Sequence, residues 1–294
     1  MKKVLIFYAT YGGGHLAAAK SIKQYIDENF PEIQTEMVDC VKYVNKALNS
    51  VTTAAYREMA KKAPWAWKKV YYNSQKGTLA KVSNTSNKLM ASKIYKLFKN
   101  FQPDLVISTH PFGSQMTSYL KKKGKVSCKL ATIMTDFAPH DQWLVGDEYI
   151  DFYFVSNEIM KQKMVDSKID KNKIFVTGIP ISKRFLQKYP HEETLKNFKL
   201  LPNKKTILFF GGGEFGLGKE KTVQILRSLA CSTYDIQVIA IAGKNQKMKE
   251  EFEKVVKEFN KENSIKVLAF TDKVPELMSI SDLVITKPGR SYYQ

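Results

Sequence analysis

The sequence is poor in everything that would make a secreted scaffold, a metalloprotein or an integral membrane protein. Three cysteines, Cys40, Cys128 and Cys231, stand far apart with no CxxC pair among them, so neither a disulfide framework nor a zinc knuckle is expected, and all three read as buried thiols. No apolar run approaches the length that spans a bilayer. Met1-Lys2-Lys3 leads straight into an apolar strand, so no signal peptide is expected, which points to the cytosol. Histidine is scarce at four residues, and His110, Asp136, His140 and Asp141 lack tight metal-ligand spacing, so no metal is expected.

Acidic residues are also in short supply, at 28 against 47 Lys and Arg, a formal charge of +19 in 294 residues. Such a balance selects a polyanionic partner, either nucleic acid or an anionic lipid surface. Residues 42–99 hold thirteen Lys and Arg against the single acid Glu58, which is +12 of the total. Aromatics thread the same stretch, densest where Trp65, Trp67, Lys68, Lys69 and Tyr71 crowd together. Tryptophan and tyrosine beside lysine suit the headgroup depth of a membrane, and these five residues are the expected membrane contact. A solvated helical face with core aromatics is the plainer alternative. Nucleic acid is disfavoured, because the flanking pattern contains no recognisable nucleic-acid module.

That flanking pattern is strand, loop, helix, repeated. Val4 to Tyr8 is an apolar β run that breaks into Gly12-Gly13-Gly14-His15 and a small-residue helix. Glycines there bring a ligand against bare amides at a helix N-terminus, and His15 is the one side chain of the loop able to exchange a proton near neutral pH. A nucleotide-binding turn with a bystander histidine is the competing reading. Further strands are expected at 35–39, 104–108, 130–134, 152–155 and 174–176, with Thr109-His110-Pro111 and Thr135-Asp136 just past carboxyl ends, where open parallel sheets bind ligands. The rhythm restarts at Thr206 to Phe210, which runs into the glycine loop Gly211 to Gly218, and continues with strands at 238–242, 267–270 and 283–286. These end at Gly243-Lys244-Asn245, Thr271-Asp272 and Lys287-Pro288-Gly289, where Lys244 and Lys287 suit a pyrophosphate.

Together these residues resemble the family of monogalactosyldiacylglycerol synthases and processive diacylglycerol glucosyltransferases, relatives of the peptidoglycan N-acetylglucosaminyltransferase. The motifs that carry the likeness are Gly12-Gly13-Gly14-His15, Thr135-Asp136 with His140 and Trp143, Gly178-Ile179-Pro180-Ile181 with Phe185, Gly211 to Gly218, Gly243-Lys244-Asn245, Phe270-Thr271 and Ile285 to Gly289. The resemblance implies an α/β GT-B enzyme with two Rossmann-like domains facing one cleft. An acceptor and membrane-binding domain is expected at 1–185, a linker at 186–204 and a UDP-sugar domain at 205–294. It also implies an inverting transfer of a hexose from UDP-glucose or UDP-galactose to diacylglycerol, with no metal or other cofactor, at the inner face of the cell membrane. His15 would be the base, with Asp136 orienting it or sharing its proton. Gly13, Gly14, His140 and Trp143 would take the acceptor. Gly211, Gly212, Gly213, Gly243, Lys244, Asn245, Phe270, Thr271, Lys287, Pro288 and Gly289 would take the donor. A nucleotide-sugar epimerase of similar build is the alternative enzyme.

Members of that family continue past Lys-Pro-Gly with a second glycine, leucine, threonine and a glutamate. This chain reads Gly289-Arg290-Ser291-Tyr292-Tyr293-Gln294. A one-base frameshift converts one ending into the other for suitable codons, so the C-terminal domain is expected to be incomplete. Weak UDP binding and little turnover are expected for this chain, and a lipid- or nucleotide-binding remnant is the non-enzymatic alternative.

Overall fold

The computed structural model describes residues 1–10, 13–44, 93–137, 139, 141–211 and 218–286. Outside these lie the expected membrane contacts Trp65, Trp67, Lys68, Lys69 and Tyr71. So do His140, Gly212, Gly213, Lys287, Pro288 and Gly289 among the expected site residues. The chain divides into two compact units, Met1–Ser182 and Lys183–Gly289.

In the first unit, strands β1 (Lys3–Tyr8), β2 (Gln34–Asp39), β3 (Leu105–Ser108), β4 (Lys129–Ile133), β5 (Phe152–Val155) and β6 (Ile174–Val176) form one sheet. Its order is β2-β1-β3-β4-β5-β6, and every pairing is parallel. The inner strands are apolar runs because both faces of a parallel sheet are covered, while β2 at the edge, Gln34–Asp39, is largely polar. Leu5, Phe7, Val106, Leu130, Tyr153 and Val155 face a core made with helices α2 (Cys40–Val44), α3 (residues 93–101), α4 (Pro111–Lys122) and, further along, α6 (Glu158–Asp166). Val4, Ile6, Ile107, Ala131 and Ile133 face the other way, with Ala19, Ile22 and Ile26 of α1 (Gly13–Asn29) packed against them. A short helix α5 (Asp141–Leu144) follows β4.

Because α1 leaves β1 toward one face and α4 leaves β3 toward the other, the carboxyl ends of these neighbouring strands open a crevice at the topological switch point. Helix α4 begins as sequence logic demands. His110 is its N-cap, accepting a hydrogen bond from the Phe112 amide, and Pro111 occupies the first turn, where no amide partner is needed. Gly113 then allows the helix to lie directly on the strands, since a Cβ there would stand 2.3 Å from Ser108 Oγ and 2.7 Å from Phe7 Cβ.

The second unit is a four-stranded parallel sheet of order β10-β7-β8-β9, from β7 (Lys205–Phe210), β8 (Ile236–Ile241), β9 (Ile265–Leu268) and β10 (Leu283–Ile285). One face packs on α8 (Lys219–Ala230) and α9 (Gln246–Glu258), through Phe209, Val238 and Ala240 against Leu226, Phe252 and Val255. The other packs on α7 (His191–Asn197) and α10 (Val274–Ser279), through Leu208, Ile239 and Ile241 against Leu195, Leu200, Leu277 and Ile280. Residues 186–204, read from composition as a linker, therefore contribute Leu195 and Leu200 to this core. Gln237 clamps the same stretch, its Oε1 accepting from Leu201 N at 2.9 Å while its Nε2 donates to Leu201 O at 2.8 Å.

Candidate active site

The glycine loop after β1 delivers His15 into the crevice beside β3. Its Nδ1 lies 2.6 Å from the carbonyl oxygen of Thr109, and the Thr109 hydroxyl donates in return to the carbonyl of His15 at 2.9 Å. This reciprocal pair ties the first turn of α1 to the end of β3. Thr109 is itself seated by its amide, which donates to Phe7 O at 2.9 Å. A third contact comes from the end of β4, where Thr135 Oγ1 is 2.9 Å from the same Nδ1. The His110 ring stands edge-on to His15 with centroids 4.7 Å apart, and Trp143 is tilted at 6.3 Å.

Asp136, expected to orient His15, has its Oδ2 bonded by Trp143 Nε1 at 2.8 Å, and its backbone carbonyl accepts from Ser156 Oγ at 3.1 Å. The Nδ1 of His15 is taken up by the two threonines. Trp143, expected as an acceptor contact, is fully buried. It acts on the site through Asp136 and through packing beneath the histidines, because a ring sealed in the core presents no surface to an acceptor. Gly13 and Gly14 are exposed, and a Cβ at either position would meet nothing within 4 Å. Packing does not require glycine at these two positions of the first turn of α1, which is what a helix N-terminus kept bare for a ligand looks like. Phe137, next after Asp136, carries an exposed ring that the sequence reading passed over.

In the second unit the expected donor residues separate by role. The Gly211 amide donates to Ile241 O at 3.0 Å, so the sheet ladder uses it and a phosphate cannot. Gly211 is small for packing instead, since a Cβ would stand 2.2 Å from Phe252 Cζ. Asn245 caps α9 by accepting from Met248 N. Gly243 turns the chain with φ +67, a left-handed value suited to glycine, and aims Lys244 across the carboxyl edge of the sheet. There the ammonium stands 5.1 Å over the ring of Phe270, which is 64% exposed. Thr271 Oγ1 accepts from Lys273 N at 3.1 Å.

The thiols take no part. Burial pushes the Cys40 thiol well up, and pushes Cys128 up to about 11, so neither forms thiolate near neutrality. Cys231, read from sequence as buried, is exposed, because it lies at the end of α8 where the chain turns away from the core. Among the described residues no group of three or more His, Cys, Asp or Glu side chains could hold a metal ion, and no helix is long and apolar enough to cross a membrane.

Two parallel α/β units, the first with a switch-point crevice at the carboxyl edge of its sheet, define the GT-B fold. Solved structures agree. Anabaena HepE in complex with UDP is similar with a TM-score of 0.57 at 13% identity, over 97% of this chain and 73% of that one. The S. aureus MnaA–UDP structure is similar with a TM-score of 0.57 at 13% identity, over 98% and 74%. The chain belongs to the monogalactosyldiacylglycerol (MGDG) synthase family, which it matches over residues 15–181, and residues 206–291 match the glycosyltransferase family 28 C-terminal domain. Among similar proteins are the processive diacylglycerol beta-glucosyltransferases of Bacillus licheniformis, 28% identical, and Bacillus subtilis, 29% identical. Each alignment runs over 289 residues, covering 98% of this chain and 73% of the relative.

Proposed function

We propose that this protein transfers a hexose from a UDP-sugar to diacylglycerol with inversion, as a peripheral enzyme on the inner face of the cell membrane. The observation that carries the reading is His15, held at the switch point of the first sheet beside two bare glycines. Its Nε2 takes the proton of the lipid hydroxyl while that oxygen attacks the anomeric carbon, and the bond from this carbon to the β-phosphate oxygen of UDP breaks. Gly13 and Gly14 leave room for the acceptor, and Phe137 offers an apolar surface to it. Asp136, fixed by Trp143, sets the electrostatics beside the histidines.

The second unit carries the donor. Lys244, with Phe270 and Thr271 nearby on the same sheet edge, meets the nucleotide. The loops at 212–213 and 287–289 supply amides and a lysine to the diphosphate, whose charge on departure is met by these groups without a metal. The basic aromatic stretch around Trp65, Trp67, Lys68, Lys69 and Tyr71 meets the anionic lipid surface. The family match and this stretch together favour a transferase over the UDP-sugar epimerases that share the fold.

The test is incubation with diacylglycerol vesicles and radiolabelled UDP-glucose or UDP-galactose. Label in a glycosylated lipid is expected. Release of free sugar or formation of an epimer, with no lipid product, refutes the proposal.

A further inference from the structure

A histidine base needs its ring proton on the correct nitrogen, and the first unit contains a device that places it. The carbonyl of Thr109, 2.6 Å from Nδ1, can only accept a hydrogen bond, so Nδ1 carries the ring proton and the lone pair falls on Nε2. Thr135 Oγ1, at 2.9 Å, then receives the second arm of a three-centre bond from the same N–H. When Nε2 takes a proton, both oxygens remain acceptors, so the positive charge that develops on the ring meets two dipoles already in place. His110 is set the opposite way. Its Nδ1 accepts from the Phe112 amide at 3.2 Å, which puts its own proton on Nε2. The two touching imidazoles are thus held in complementary tautomers by the ends of β3 and β4 and the start of α4.

We propose that Thr135 is a positioning residue for His15, completing with the Thr109 carbonyl a cradle that holds the imidazole by its protonated Nδ1. This rests on the transferase reading above. It assigns to a threonine part of the orienting task that triad-like arrangements give to a carboxylate.

The test uses the full chain labelled with ¹⁵N-histidine, with the His15 signals assigned among the four histidines by H15Q. Wild type is expected to show protonated Nδ1 and unprotonated Nε2. T135V is expected to leave the proton on Nδ1, where the Thr109 carbonyl holds it, but to shift the His15 ¹⁵N resonances as the ring loosens. It is also expected to lower kcat about tenfold with the KM for the UDP-sugar within about twofold, and T135S to restore most of kcat. A wild-type spectrum with the proton on Nε2 overturns the proposal whatever the variants do. So does T135V with kcat within about twofold of wild type, or T135S no better than T135V. A wild-type protein that moves no hexose, yet shows the protonated Nδ1 and His15 resonances that shift in T135V and return in T135S, refutes the transferase reading and supports the cradle.

Discussion

Gly113→Ala pits two effects of opposite sign against each other inside one helical turn. On an open helix surface the change stabilises by about 1 kcal/mol, because glycine has more backbone entropy to lose. Here the new methyl would stand 2.3 Å from Ser108 Oγ and 2.7 Å from Phe7 Cβ. Phe7 is fully buried and its Cβ is tied to the backbone of β1, so it cannot yield. Ser108 can turn aside only by giving up the bond its hydroxyl donates to His110 O at 2.7 Å, worth about 1 kcal/mol. Overpacking adds about 1–3 kcal/mol, so the net effect is a loss of about 1–3 kcal/mol. For a unit of this size that lowers Tm by about 3–9 °C.

All three tryptophans, Trp65, Trp67 and Trp143, belong to the first unit, so tryptophan fluorescence during thermal or urea unfolding reports that unit alone. Gly14→Ala is the internal control, since its Cβ meets nothing within 4 Å. It should leave Tm unchanged or slightly raised while impairing acceptor use. Equal stability of Gly113→Ala and wild type, or equal losses in the two variants, would refute the packing argument.

His15→Gln should lower kcat by about 100-fold to 10,000-fold while UDP affinity by calorimetry stays within about twofold; turnover near wild type removes His15 from the base role. Burial acts to raise the Asp151 carboxyl, but hydrogen bonds from Lys121 at 2.5 Å, Lys129 at 2.9 Å and the Leu130 amide at 2.9 Å outweigh it and hold it below the ordinary carboxylate value. Its contribution is therefore present above the unfolded value and is lost as pH falls through the folded one. Asp151→Asn should melt below wild type at neutral pH and converge with it in acid, and parallel Tm–pH curves would contradict this. Charge reversal of Lys68 and Lys69 to Glu should weaken sedimentation with anionic vesicles, and salt should weaken wild-type binding in the same way; attachment indifferent to both excludes charge as the driver.

The inner strands were legible as apolar runs between small or polar residues, to within a residue or two, because a parallel sheet covered on both faces imprints continuous hydrophobicity. The placement of His15 was legible too, since a glycine break before a small-residue helix is a local signal. What escaped was whatever depends on a partner far along the chain. Thr135 stood in the Thr135-Asp136 strand end with no role of its own, and its approach to a ring 120 residues earlier is what gives it a task. Gly211 read as a phosphate amide, yet the neighbouring strand claims that N–H, and Phe252 claims the space. Trp143 and Asn245 carried family-like signals whose local explanations, burial and helix capping, become visible only in three dimensions.

Strand order has a further consequence. The partner of β1 on its inner side is β3, not β2, although residues 40–104 separate β2 from β3 in the chain. The histidine cradle is assembled from the first turn of α1 and the ends of β3 and β4. Of residues 40–104 it is α2 and α3 that pack into the core behind these strands, so the sequence between the two helices can change while those core contacts are kept. A lineage could retune the proposed lipid contact by rewriting residues 45–92 alone, leaving the histidine cradle as inherited.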